Sequence, residues 1–204
     1  MGVTPIVMKR EEIREKFAYT ETAVYWDMKD FPVTDIVLFN QNIRLALADA
    51  GYLGKVSIRA YGDEKPDDEE YYKNAEITFV SRGSKRARMH MMLVDMHFWV
   101  ADNRDCSLKN VMVIAKNIMP ADDDDDMLFQ ANLGLMNARC YNILLAVPDD
   151  YQLRNMPFRC NYTVWHWSDL LAGGKPLDDS LVFRWYDQEP PRNIEAEPCT
   201  LCGK

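Results

Sequence analysis

Val111-Met-Val-Ile-Ala115 and Ile143-Leu-Leu-Ala-Val147 decide the fold. Each is a short unbroken apolar run. A strand without polar alternation must be covered on both faces, and that is the habit of parallel sheets packed between helices. Between the two runs, residues 127–139 carry Leu128, Ala131, Leu135 and Met136 at helical spacing. Toward the amino end the same alternation continues. Residues 88–101 read as a helix, 81–88 as a basic loop, 76–80 as a strand, and 64–74 as a polar loop with a short helix. Val56-Ser-Ile-Arg-Ala-Tyr61 alternates as a strand, and residues 35–50 place Ile36, Phe39, Ile43, Leu47 and Ala50 at helical spacing before Gly51. Ala23-Val-Tyr-Trp-Asp27 is a further apolar run, closed by a carboxylate. Toward the carboxyl end, residues 162–167 fit one more edge strand. Strands alternating with helices predict an α/β domain with a mostly parallel central sheet and right-handed crossovers.

The chain has 204 residues, 48% of them hydrophobic, so one domain burying about 70% of its unfolded surface is within reach. Residues 1–19 read as an N-terminal extension and 173–204, rich in Gly, Pro and charge, as a poorly ordered tail. No apolar run approaches the roughly 18 residues of a membrane span, and no membrane partner is expected. The first residues offer neither an apolar signal region nor the Ser or Thr that myristoylation requires. Five scattered cysteines, an odd number, suit a reducing compartment better than a disulfide framework. A net charge of −8 excludes coating of nucleic acid by bulk charge, while leaving room for a local basic patch.

Ligands of open parallel sheets sit beyond the carboxyl ends of the strands. Asp27 falls there, and Asp30 follows in the same turn. Asp95 and Asp102 lie seven residues apart on one helix face, and Asp95 interrupts the apolar run Met91-Met-Leu-Val94, where a carboxylate needs a partner. Carboxylates converging from a strand end and a helix are how Mg²⁺ is held. Arg82, Lys85, Arg86 and Arg88 form a basic segment suited to phosphates. The histidines show no ligand spacing, and the stripe Met89, Met91, Met92, Met96 reads as core. Cys199-Thr-Leu-Cys202 is a lone pair, too few ligands for a structural zinc.

Four stretches, in order, carry a resemblance: residues 22–32 with Trp26-Asp27, residues 56–62, Leu93-Val-Asp-Met-His-Phe-Trp-Val-Ala-Asp-Asn103, and Arg139-Cys-Tyr-Asn-Ile-Leu-Leu-Ala146. Over residues 20–172 the chain resembles the limkain-type NYN domain, a PIN-like nuclease fold found in the meiosis regulator and mRNA stability factor proteins. The resemblance implies a three-layer PIN-like Rossmannoid acting on or binding single-stranded RNA in post-transcriptional regulation, with protein partners also open. Asp27, Asp30 and Asp95 then match the catalytic acids, Asp27 and Asp95 being ligands of Mg²⁺ or Mn²⁺. The family's Ser-Gly-Asp-x-Asp turn is replaced by Ala115-Lys-Asn117, which puts an ammonium and a neutral amide where carboxylates stand. Asp126, the last residue of the acidic run 122–126, is a substitute ligand if that run is more than a solvated loop. Two readings follow: a regulatory RNA-binding module with a degenerate metal site and weak or absent cleavage, or an active Mg/Mn-dependent endoribonuclease. The compartment implied is intracellular, the cytoplasm first, with peroxisome or mitochondrion known among family members.

Overall fold

The computed structural model describes residues 10–64, 68–102, 108–116, 124–139, 141–151 and 163–177. At its centre lies one sheet of six strands: β1 (Thr22–Asp27), β2 (Val56–Gly62), β3 (Ile77–Ser81), β4 (Asn110–Ile114), β5 (Asn142–Val147) and β6 (Thr163–His166). Their order is β3-β2-β1-β4-β5-β6, and every pairing is parallel. The fold is therefore α/β and Rossmann-like. The helices are α1 (Arg10–Phe17), α2 (Ile36–Asp49), α3 (Glu69–Asn74), α4 (Lys85–Asp102), α5 (Asp124–Ala138) and α6 (Trp167–Leu171).

Two boundaries correct the sequence reading. Residues 85–88, assigned to a basic loop, form the first turn of α4. Ser84 explains the shift: its hydroxyl accepts from Ala87 N at 3.2 Å and its carbonyl from Arg88 N at 2.9 Å, capping a helix that charge alone made look like a loop. Likewise α5 starts at Asp124, inside the acidic run, where anionic residues favour the positive end of the helix dipole.

Alternation along the strands builds two cores. Val24, Trp26, Ile58, Ala60, Met112, Ile114, Leu144 and Ala146 point to one face of the sheet and pack with Phe39, Ile43 and Leu47 of α2 and Leu170 of α6. Ala23, Tyr25, Tyr61, Val111, Val113, Ile143 and Leu145 point to the other, against Met89, Met92 and Met96 of α4 and Phe129, Leu133 and Met136 of α5. Of the methionine stripe, Met89, Met92 and Met96 are core, and Met91 is partly buried beside them. Helix α2 keeps its position through Asp35, whose carboxylate accepts from Val37 N (2.9 Å) and Leu38 N (3.0 Å), and ends where Gly51 takes a φ of 91°.

Residues on either side of the expected domain limits join this structure. Phe17 of α1 is buried in the first core, and its carbonyl accepts from Asn110 Nδ2 at 3.1 Å. At the other end Leu177 N donates to Val164 O at 2.7 Å. None of the described helices is long and apolar enough to cross a membrane.

Candidate functional site

In this strand order the chain reverses its direction of travel between β1 and β4, so the crevice for a ligand opens at their carboxyl ends. The turn that follows β1 is tightly built. Trp26 Nε1 donates to Phe31 O at 2.8 Å and Phe31 N to Asp27 O at 3.1 Å, folding residues 27–31 back over the strand end. The Asp27 carboxylate accepts from Lys29 N at 2.9 Å and Asp30 N at 3.3 Å, the side-chain-to-backbone closure that aspartate favours in turns. A dinucleotide-binding loop would need glycines here so that backbone could approach a pyrophosphate. This loop reads Asp27-Met-Lys-Asp-Phe31 instead. It presents acids.

Asp27 is 1% exposed and faces α4. Arg88, in the first turn of that helix and 4% exposed, aims Nε at both carboxylate oxygens, 3.2 Å from Oδ1 and 3.0 Å from Oδ2. Its Nη1 contacts Asp63, the residue just past β2, and Asp63 also pairs with Lys29 Nζ at 3.0 Å. Two strand-end carboxylates, Asp27 and Asp63, thus converge on one buried guanidinium, and Lys29 pairs with the second of them. Burial pushes the Asp27 carboxyl above the ordinary range, and the Arg88 hydrogen bonds pull it partly back. Asp30 turns elsewhere: its Oδ2 accepts from Lys116 N at 2.8 Å, tying the β1 turn to the end of β4 across the switch point.

Asp95 belongs to a second cluster, seven residues or about 10 Å farther along α4 than Arg88. Its Oδ2 accepts from Tyr61 Oη at 2.7 Å and stands 3.5 Å from Arg59 Nη1, both on β2. Burial, reinforced by the Asp95 carboxylate, drives the Tyr61 phenol far above its ordinary value, so it remains a donor. Neighbouring Tyr25 is raised mainly by burial, and its buried Oη has no hydrogen-bond partner among the described residues.

The fit to a Mg²⁺ or Mn²⁺ ion is poor as these groups are arranged. Both oxygens of Asp27 already accept hydrogen bonds, Asp30 and Asp95 point to different partners, and among the described residues no three His, Cys, Asp or Glu side chains gather into a metal-holding group. A hard cation would have to displace a guanidinium. The side chains of Asp102 and Asp126 lie outside the described residues, as do Asn117 and the pair Cys199 and Cys202.

Of the basic segment, Arg82, Lys85 and Arg86 are exposed around the amino end of α4, while Arg88 is buried beneath Asp27. Sequence reasoning had all four facing phosphates. It passed over Asp63, Lys29, Arg59 and Tyr61. The signal for Asp63 was present: the strand-end rule that singles out Asp27 applies equally to the residue after Val56-Ser-Ile-Arg-Ala-Tyr-Gly62. No protein-family model matches the chain, and no curated protein sequence matches it.

Proposed function

We propose that this chain is an NYN-type, PIN-like module that binds single-stranded RNA in post-transcriptional regulation, with a degenerate metal site and weak or absent cleavage. The observation that carries this reading is the bond of Arg88 Nε to both Asp27 oxygens. A buried guanidinium supplies the positive charge that a nuclease of this ancestry would take from a metal ion, but it cannot ionise a water. Any Mg²⁺ or Mn²⁺ binding is accordingly weak. RNA contact falls to Arg82, Lys85 and Arg86, exposed on the sheet's carboxyl side, where helix N–H groups add to their attraction for phosphate. The cytoplasm is the compartment that suits such a module, with peroxisome or mitochondrion following from the resemblance alone.

The second reading, an active metal-dependent endoribonuclease, draws support from the carboxylates of Asp27 and Asp63 meeting on Arg88 at the strand ends, with Asp30 in the same turn. Labelled single-stranded RNA separates the two. The purified chain is expected to bind it equally with and without Mn²⁺ and to leave it intact. Changing Arg82, Lys85 and Arg86 to Ala should weaken binding and flatten its salt dependence by about two to three units of slope. Unchanged binding and slope would remove RNA from the proposal. Mn²⁺-dependent cutting that disappears in Asp27→Asn would establish the nuclease instead.

A further inference from the structure

Among the described residues β3 is an edge of the sheet, with no strand on its outer side. Arg82 N donates to Gly62 O at 2.8 Å, so Thr78, Val80 and Arg82 turn their backbone groups toward β2. By alternation the N–H and C=O groups of Ile77 and Phe79 point outward, and among the described residues nothing bonds them. The strand reads Ile77-Thr-Phe-Val-Ser81, with none of the lysines or prolines that blunt exposed edges. A groove of 820 Å³ runs along it, walled by α3. It meets a second cleft of 470 Å³ that leads toward Lys29 and Asp63, and Tyr72 and Phe79 line both.

Those two rings form the floor, edge to face with centroids 5.0 Å apart. Gly62 is what lets Phe79 lie there, since a Cβ at that position would come within 2.6 Å of the ring. The rim is acidic: Glu69, Glu70 and Glu76 against Lys73, with Glu76 also paired to Arg44 at 3.0 Å. Arg82 leans away, its guanidinium on Ser81 O and Met91 Sδ.

We infer that this groove docks an extended, basic segment of a partner protein, which pairs along β3 as an added strand and lays a Lys or Arg over Tyr72 and Phe79. Outward backbone groups supply the pairing of strand addition. The aromatic floor accepts a cation on its face. The acidic rim selects a basic peptide and repels the phosphates of RNA, so this surface is separate from the Arg82, Lys85 and Arg86 patch and does not depend on the RNA reading.

The test uses the full chain and three fluorescent probes: a peptide alternating Lys and Val, its counterpart alternating Glu and Val, and a single-stranded RNA oligonucleotide. Anisotropy should show binding of the Lys–Val peptide alone at this groove, with affinity falling at least about tenfold in the doubly reversed variant Glu69→Lys, Glu70→Lys, whose changed positions are exposed. Amide exchange read residue by residue gives the second arm. Ile77 and Phe79 should exchange fast in the free chain while Thr78 and Val80 are protected, and the Lys–Val peptide should slow the first pair. No binding, binding indifferent to the charge reversal, or binding that leaves Ile77 and Phe79 exchanging fast would each overturn the proposal. Protection of those amides by RNA would assign the groove to nucleic acid and overturn it equally.

Discussion

The two faces of the sheet are built differently. On the α2 and α6 side the core is aromatic: Trp26 packs on Phe39 at 4.2 Å, Phe31 on Trp167 at 4.8 Å, and the one indole N–H of Trp26 is satisfied within the β1 turn. On the α4 and α5 side the filler is methionine, and into it are set Tyr25, Asp27, Tyr61, Arg88 and Asp95. Aromatic rings pack with defined geometry and hold the strands. Methionine adapts its shape around groups that must satisfy hydrogen bonds first. One face therefore fixes the scaffold, and the other carries the ionisable groups, because residues 25 and 27 share a side of β1 while 24 and 26 share the opposite one.

The largest effect should come from breaking the aromatic face. Trp26→Ala removes the packing on Phe39 and the bond to Phe31 O, and should lower stability by about 4–5 kcal/mol in denaturant unfolding. A loss under about 2 kcal/mol would mean that the turn, rather than the ring, holds β1.

Arg88→Met tests the polar face. It leaves Asp27 buried without its cation and should cost about 3 kcal/mol near neutral pH. The sign of its pH dependence follows from the raised Asp27 carboxyl, which loses the lowering contribution of Arg88. A carboxyl raised in the folded state favours folding below its unfolded value and withdraws that support as pH rises through the folded value. The deficit of Arg88→Met relative to the unmodified chain should therefore shrink as pH falls toward about 4, and Asp27→Asn in the same background should recover much of it at neutral pH. A deficit independent of pH would show that Asp27 draws its stability from the turn amides alone.

The smallest effect lies at the rim, where Asp149 accepts from Ser168 N at 3.0 Å and Ser168 Oγ at 2.9 Å. The backbone bond from Ser168 holds this carboxyl below its ordinary value. Its support is present above the unfolded value and disappears as pH falls through the folded one. Being solvent-exposed, it should contribute under about 1 kcal/mol, and Asp149→Asn should flatten the acid limb of the stability profile slightly. A shift as large as that of Arg88→Met would erase the distinction between buried and rim carboxylates.

Amino-acid pattern alone is enough to specify the architecture. Unbroken apolar runs such as Val111-Met-Val-Ile-Ala115 must be buried on both faces, and helical periodicity between them leaves little but a parallel α/β sheet. It also placed Asp27 at a strand end, because a carboxylate closes the apolar run Ala23-Val-Tyr-Trp26 just before the turn. What it left undecided is which groups Asp27 meets. Arg88 is separated from it by 61 positions, and its side chain reads as one more member of an exposed basic patch. Only the packing of α4 across the end of β1 turned that arginine inward while Arg82, Lys85 and Arg86 stayed in solvent. Helical rotation, at about 100° per residue, puts Arg86 on the side of α4 opposite Arg88, while Arg82 precedes the helix and Lys85 starts it. Local pattern reports how a segment partitions between water and core, whereas the pairing of charges across distant segments is decided when the segments meet.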